Sequence, residues 1–401
     1  MNRIIFHIDC NNAFLSWSAI KLLEDGYKVD IRNIYAVIGG DEDRRTGIVL
    51  AKSNLCKKLG IKTADTLYSA RKKCKNLKVF PPNYKFYAKK SNELFNLLNN
   101  YSPDIEVASI DECYLDYTKV KNLYGDEVKF AYKLKNEIKE KLGFTVNIGI
   151  ANNKLCAKMA SDFRKPDKVH TLYESEIESK MYPLPISDLF GIGRNTVPKL
   201  NVLGIKTIGD LANFDINILK KYFKNQASTM IDSAKGINYD EVVSDRWIPK
   251  GIGNEVTLLY DTNNFEYIEN NLLMIAENIG SRLRKEKKYA YVICVTVKDM
   301  NFVRKSHQKK IKVPTDSNEK IFNVAKEIYL RYFKEEKIRL IGIRLDDLVT
   351  EKYDQLSLFD SKVDDVSSSK LDYVLDDLRK KYGKNIINKA SIINTNKEFH
   401  K

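Results

Sequence analysis

The sequence predicts an α+β multidomain protein built on a ferredoxin-like sheet, and three observations carry that prediction. Across residues 1–150, apolar alternation and helical periodicity succeed one another in the order βαββαβ once a short insertion is set aside, which is the split β-α-β pattern. Beyond Pro185 the composition shifts to short, Gly-punctuated helices, and beyond Asn254 strands and helices alternate again. At 401 residues the chain is longer than one ordinary core organises, so roughly two to four domains are expected.

Taken in order, Arg3 to Ile8 reads as a strand and Ala13 to Leu23 as a helix, with the polar turn Asp9-Cys10-Asn11-Asn12 at the strand's carboxyl end. A small insertion follows, with strands at Ile34 to Ile38 and Gly47 to Ala51 around a Gly39-Gly40 turn, then a Lys-rich helix from Asn54 to Leu59. Tyr84 to Tyr101 has helical periodicity, and Ile105 to Asp116 reads as two short strands around an acidic turn. A helix from Lys129 to Leu142 and a strand from Thr145 to Ile150 complete the pattern. Such a sheet brings the Asp9 and Asp111 turns onto adjacent strands.

Farther on, Leu189-Phe190-Gly191-Ile192-Gly193-Arg194 reads as a tight hairpin between helices, and a linker runs from Lys235 to Asn254. The last unit alternates strands at Gly253 to Tyr260, Ala290 to Val297, Lys309 to Val313 and Arg339 to Leu345 with helices at Asn264 to Lys285 and Asn318 to Phe333. From Val349 onward the chain is polar and is expected to be partly disordered.

The formal net charge of +15 favours a polyanionic partner, because neutralising phosphates releases counterions; a solvated basic surface would give the same count. Six cysteines lie scattered without CxxC spacing among only four histidines, which argues against a zinc site or a disulfide framework and for buried, reduced thiols. No apolar run is long enough to span a bilayer, and the N-terminus enters a strand at once without the features of a signal peptide, so no membrane association and a cytoplasmic location are expected.

The chemistry lies first in Asp9 and the pair Asp111-Glu112. Two divalent cations roughly 3.5–4 Å apart repel unless several anionic oxygens bridge them, and carboxylates converging from separate strands supply those oxygens. A solvated turn with surface acids is the competing reading. Phe14, at the start of the helix, could close off space beside a nucleotide sugar or be a core aromatic. Lys52, Lys57, Lys58 and Lys62, with Arg164-Lys165-Pro166, could neutralise a triphosphate or be a solvated face. Gly191 and Gly193 let backbone N–H groups converge on a phosphate. Basic clusters at Arg282 to Lys288 and Arg304 to Lys312 flank apolar strands, as a surface gripping a duplex backbone would. Gln355-Leu356-Ser357-Leu358-Phe359 places apolar residues in the polar tail, where they suit a peptide docking in a partner's pocket or packing back on its own domain.

These motifs, in this order over nearly the whole chain, resemble the Y-family DNA polymerases of the bacterial polymerase IV and polymerase V type. Ile8 to Phe14 is similar to the family's first catalytic motif, which implies Asp9 and the Cys10 backbone carbonyl as metal ligands, Ala13 and Phe14 against the nucleotide, and Phe14 as the steric gate against ribonucleotides. Ser109-Ile110-Asp111-Glu112 resembles the second motif, which implies Asp111 and Glu112 as the other catalytic carboxylates around two Mg²⁺ ions. Asn153 to Ser161 with Lys165-Pro166 implies that Lys165 binds the incoming triphosphate.

The resemblance divides the chain into a catalytic palm (1–32 and 79–170), fingers (33–78), a helix-hairpin-helix thumb (171–240), a DNA-binding little finger (241–348) and a tail (349–401). It implies DNA contacts from Gly191, Gly193, Arg284, Arg304 and Lys305, and sliding-clamp contacts from Gln355, Leu356, Leu358 and Phe359. The implied activity is low-fidelity, template-directed translesion synthesis from deoxynucleoside triphosphates on primer-template DNA by a monomer. The sequence departs from the common pattern at Asn54 and Lys57, where many relatives present Tyr and Arg to the triphosphate; Lys keeps the charge and loses the fork. Asn11 stands where polymerase IV enzymes often carry a second Asp. Two rivals remain: a non-catalytic DNA- and clamp-binding adaptor, and a cyclase-like nucleotide enzyme on the same sheet.

Overall fold

The computed structural model describes residues 3–42, 45, 47–245, 249–351, 365–383 and 386–387. The chain divides into two compact units, Met1–Gly40 with Gly47–Arg246, and Asp41–Thr46 with Trp247–Lys401.

In the first unit the elements run β1 (Ile5–Cys10), α1 (Ala13–Glu24), β2 (Ala36–Gly39), β3 (Val49–Lys52), α2 (Asn54–Lys58), α3 (Leu67–Lys73), β4 (Lys78–Phe80), α4 (Tyr84–Asn99), β5 (Ile105–Val107), β6 (Glu112–Asp116), α5 (Lys121–Tyr124), α6 (Glu127–Leu142), β7 (Val146–Ala151), α7 (Lys154–Asp162) and β8 (Val169–Leu172). Four short helices complete it: α8 (Val197–Val202), α9 (Ile208–Ala212), α10 (Ile216–Phe223) and α11 (Gln226–Ala234). The main sheet has strand order β5-β6-β1-β7-β8, with β1 antiparallel to both β6 and β7. Removing β8 leaves the ferredoxin-like order, and β2, β3 and β4 form a separate three-stranded sheet within the insertion.

Side chains alternate across a strand, so β1 serves two layers at once. Phe6 and Ile8 enter one core with Tyr87, Leu94 and Leu98 of α4 and Phe130, Leu134 and Ile138 of α6, whereas Ile5 enters a second core with Ala157, Met159 and Ala160 of α7. Burying a side chain such as Phe6 or Ile8, both fully enclosed, stabilises the sheet by about 1.5–3 kcal/mol. Helix α7 starts where the Asn153 side chain accepts a hydrogen bond from the Cys156 N–H, and it settles directly onto β7 at Gly149. A Cβ on Gly149 would lie 2.0 Å from the Ala157 carbonyl oxygen and 2.4 Å from the Ser161 nitrogen, so only glycine permits this approach.

The second unit contains β9 (Gly251–Thr262), α12 (Phe265–Lys285), β10 (Tyr289–Asp299), β11 (Arg304–Thr315), α13 (Asn318–Tyr332), β12 (Ile338–Val349) and α14 (Asp365–Tyr382). Its sheet has order β11-β10-β12-β9, and α12 and α13 supply Leu272, Ile279, Leu283, Ile321 and Ile328 to the core beneath it. The expected strands and helices of this unit are present, and β11 is longer than the sequence suggests because polar residues from Arg304 to Lys310 continue the ladder on β10. Within the tail expected to be partly disordered, residues 365–382 form α14, which docks through acidic side chains on basic and amide groups of α12 and α13. Leu371, Val374, Leu375 and Leu378 stand at helical spacing, so the sequence carries a signal for this helix that the polar composition of the tail obscures. No helix among the described residues is long and apolar enough to cross a membrane.

Candidate active site

The odd-numbered residues of β1 face α7, and they include His7 and Asp9. Asp9 is the cross-strand partner of Glu112 on β6 and of Asn147 on β7, and the Cys10 N–H donates to the Asp111 carbonyl oxygen at 3.0 Å. The acidic turn is thereby fastened to the end of β1. The Ser109 hydroxyl donates to Asp111 Oδ1 at 2.7 Å and, through the same oxygen, accepts the Asp111 N–H at 3.2 Å, fixing that carboxylate's orientation.

Two lysines lie among these acids. Lys158 Nζ, on α7, donates to Glu112 Oε1 at 2.7 Å and lies 3.6 Å from Asp9 Oδ2 and from Asp162 Oδ2. Lys165 Nζ, just beyond α7, is 2.7 Å from both Asp9 Oδ2 and Asp162 Oδ1. Among the described residues, no three acids, histidines or cysteines converge in a metal-holding arrangement; the ammonium groups hold the carboxylate oxygens instead.

The electrostatics nevertheless fit hard divalent cations. Asp9, Glu112 and Asp162 bring three formal negative charges against two positive ones from Lys158 and Lys165, Asp111 stands on the turn fastened to the end of β1, and the carboxylate donors are all oxygen. Burial pushes the Asp9 carboxyl up to about 6, with Lys165 and then Lys158 pulling it back. Glu112 is held below the usual carboxylate range by the facing His7 ring and by Lys158. Burial lowers both lysines, but their carboxylate partners outweigh it and the net shift is upward. Desolvation thus disfavours the charged form of Asp9, the form that a hard cation would favour.

Of the other expected residues, Phe14 is partly buried and stacks on Tyr87 with centroids 4.7 Å apart. Ala13 is 5% exposed, so its methyl belongs to the core and only its backbone could meet a nucleotide. Asn54 and Lys57 are exposed on α2. Lys52, on the neighbouring strand, is held below the usual lysine range by burial and then by the charge of Lys57. Gly191 turns the hairpin with φ of +91°, and Gly193 is exposed beside it.

Arg304 and Lys305 are exposed on β11 and pair with Glu255 and Glu336. Arg284 is a correction: it is 4% exposed, and its guanidinium donates to the Asp316 carbonyl, Asn318 Oδ1 and Asp376 Oδ2, so it is a buried tie to α14 and cannot reach DNA from there. Gln355, Leu356, Leu358 and Phe359 lie outside the described residues.

Sequence reasoning assigned no role to His7, Asn147, Lys158 or Asp162. Lys158 and Asp162 had a legible signal, an i,i+4 pair three residues ahead of Lys165. His7 and Asn147 had none, since each is a polar residue inside an apolar strand whose purpose depends on α7 and the loop after it.

Residues 8–162 match the model of the impB/mucB/samB family, residues 249–358 its C-terminal domain, and residues 174–205 the IMS family HHH motif. The chain therefore has the palm, fingers, thumb and little finger of a Y-family polymerase. It is similar to the DNA polymerase IV of Clostridium acetobutylicum, with 46% identity over 98% of this chain and 99% of that relative. DNA polymerase IV 1 of Bacillus subtilis is 30% identical over 98% of this chain and 94% of its own length. Among solved structures, a Y-family DNA polymerase chimera superposes with a TM-score of 0.76 at 27% identity, covering 87% of this chain and 100% of that one. The chain belongs to the Y family of DNA polymerases, within its polymerase IV branch, and is a DNA-directed DNA polymerase.

Proposed function

We propose that this polymerase performs low-fidelity translesion synthesis by two-metal nucleotidyl transfer, with Asp9, Asp111 and Glu112 as the carboxylates that would hold two Mg²⁺ ions. The observation that carries this reading is the meeting of Asp9 and Glu112 across β1 and β6, with Lys158 and Lys165 supplying the cations nearest them. The chemistry bound ions supply is activation of a primer 3′-hydroxyl and neutralisation of the phosphates it attacks.

The protein's own share is positioning. Ser109 orients Asp111 and Lys158 orients Glu112. Lys165, only partly enclosed, is the cation best able to exchange its carboxylate partners for a triphosphate. Phe14, backed by Tyr87, would crowd a 2′-hydroxyl. Asn54 and Lys57 would meet the phosphates from the fingers with a point charge in place of a guanidinium fork.

Primer-template DNA and deoxynucleoside triphosphates are the substrates this reading requires; one solved relative is described as an insertion ternary complex of a DNA polymerase, at 27% identity and a TM-score of 0.60. Gly191, Gly193, Arg304 and Lys305 would bind the duplex backbone, and Gln355 to Phe359 would recruit the enzyme to a sliding clamp. A cytoplasmic monomer is the form we envisage.

The test is extension of a labelled primer on undamaged and abasic templates with Mg²⁺, comparing wild type with Asp111→Ala. Wild-type extension on both templates, slowed about a hundredfold or more by the substitution, is expected. No extension by either protein, with duplex binding retained, would replace the reading with a DNA-binding adaptor.

A further inference from the structure

We infer that Asn11 and Asn147 form an amide clamp that positions the 164–168 segment, and with it Lys165, for the incoming triphosphate. The inference rests on the proposed role of Lys165. The hydrogen bonds of the two amides have directions that admit one assignment.

Asn147 is fully buried on β7, and its Oδ1 must be the acceptor because the Lys168 backbone N–H donates to it at 3.2 Å. Its Nδ2 therefore donates, to the Arg164 carbonyl at 2.7 Å and the Ser161 carbonyl at 3.0 Å. One side chain thus holds the last turn of α7 and both ends of the segment carrying Lys165. Asn11 is assigned in the same way: its Oδ1 accepts the Asp167 N–H at 2.8 Å and the Thr145 hydroxyl at 3.0 Å, so its Nδ2 donates to Asn147 Oδ1 at 3.1 Å.

The pair ties the segment to the strands that carry Asp9. Asp9 and Asn147 are direct cross-strand partners, and Asn11 is two residues beyond Asp9, so a shift of the segment would move Lys165 relative to Asp9. This gives the amide at position 11 a reason. A carboxylate there could still accept from Asp167 and Thr145 but could not donate, and it would set an anionic oxygen against Asn147 Oδ1. Asn11 and Asn147 are positioning residues that act through Lys165.

The test is steady-state insertion of a single deoxynucleotide by wild type, Asn11→Asp, Thr145→Val, Lys165→Ala and the Asn11→Asp/Lys165→Ala double variant, with melting temperatures recorded. Asn11→Asp is expected to raise the nucleotide KM about tenfold while kcat at saturation stays within roughly a factor of three. Thr145→Val, which adds no charge and removes one hydrogen bond to Asn11, shifts KM the same way by less and keeps the test open if Asn11→Asp folds poorly. In the Lys165→Ala background, Asn11→Asp adds no further KM increase. If Lys165→Ala leaves KM unchanged, the role given to Lys165 is wrong. If Lys165→Ala raises KM but Asn11→Asp and Thr145→Val do not, or the Asn11 effect is fully additive with loss of Lys165, the clamp is overturned.

Discussion

Lysine meets carboxylate in two very different settings in this polymerase. On the α7 face of the palm sheet, Lys158 touches three acids and Lys165 two, beside an Asp9 that is 6% exposed. Along β11 of the little finger, Lys305, Lys309 and Lys310 lie exposed with Glu336, Glu327 and Asp347. At the centre of the first arrangement Lys158 and Asp9 are desolvated, so their charges constrain one another strongly and cannot be altered singly without cost. The second is screened by water and salt, where such pairs add little stability and the lysines remain available to phosphates. Burial, rather than the identity of the charges, separates the proposed reaction site from the proposed gripping surface.

The sharpest way to break this contrast is to open the palm. Gly149→Ala forces α7 away from β7, because a methyl cannot occupy the space of a backbone oxygen 2.0 Å away. Lys158 then leaves Glu112, and the desolvation that defines the site is lost. We expect destabilisation above about 4 kcal/mol, seen as a large drop in melting temperature, together with loss of primer extension. Near-native melting and extension would mean that β7 and α7 tolerate a gap and that close packing does not set the site.

The little finger offers an internal control. Removing the buried Arg284 by Arg284→Ala leaves Asp372 and Asp376 of α14 without their guanidinium and should destabilise that unit by roughly 3–5 kcal/mol, read by thermal or denaturant unfolding. Lys305→Ala on exposed β11 should leave melting unchanged and reduce the salt dependence of duplex binding by about one counterion. The opposite result, a stable Arg284 variant and an unstable Lys305 variant, would reverse the roles assigned here.

These cases also show what the sequence made legible. The βαββαβ order and the Asp9 and Asp111-Glu112 turns were readable because strand periodicity is local and acids in an apolar context stand out. The expected DNA contact of Arg284 fails because a basic residue within Arg282 to Lys288 looks the same in sequence whether it faces water or the acidic side of α14, which lies 92 residues away at Asp376. The roles of His7 and Asn11 are not legible because their partners on α7, β7 and the 164–168 segment lie 136 to 156 residues away, and that of Asn147 because the carbonyls it holds, 14 and 17 residues on, become its neighbours only when α7 folds back onto β7. Asn54 and Lys57 were legible as departures, and their exposure on α2 leaves them free to meet phosphates as proposed.

The smallest effect expected is a titration. Burial first, opposed by Lys165, places the Asp9 carboxyl at about 6, against 3.8 for an ordinary Asp. Between those values the folded, ion-free protein holds a proton that the unfolded chain has released, so this group's contribution to stability falls as pH rises from about 4 to 6 and is level above it. Glu112, held low, acts oppositely: its contribution is present above its ordinary 4.5 and is lost as pH falls below. If Asp9 holds an ion as proposed, only its ionised form takes one up, so the Mg²⁺ concentration giving half-maximal primer extension should climb about tenfold per pH unit below roughly 6 and be flat above. Lys165→Met removes the charge that holds Asp9 down and should move the break to higher pH. A Mg²⁺ requirement that stays flat from pH 5 to 8 would mean that Asp9 is already ionised, and that the palm carboxylates are no more desolvated than those of β11's partners.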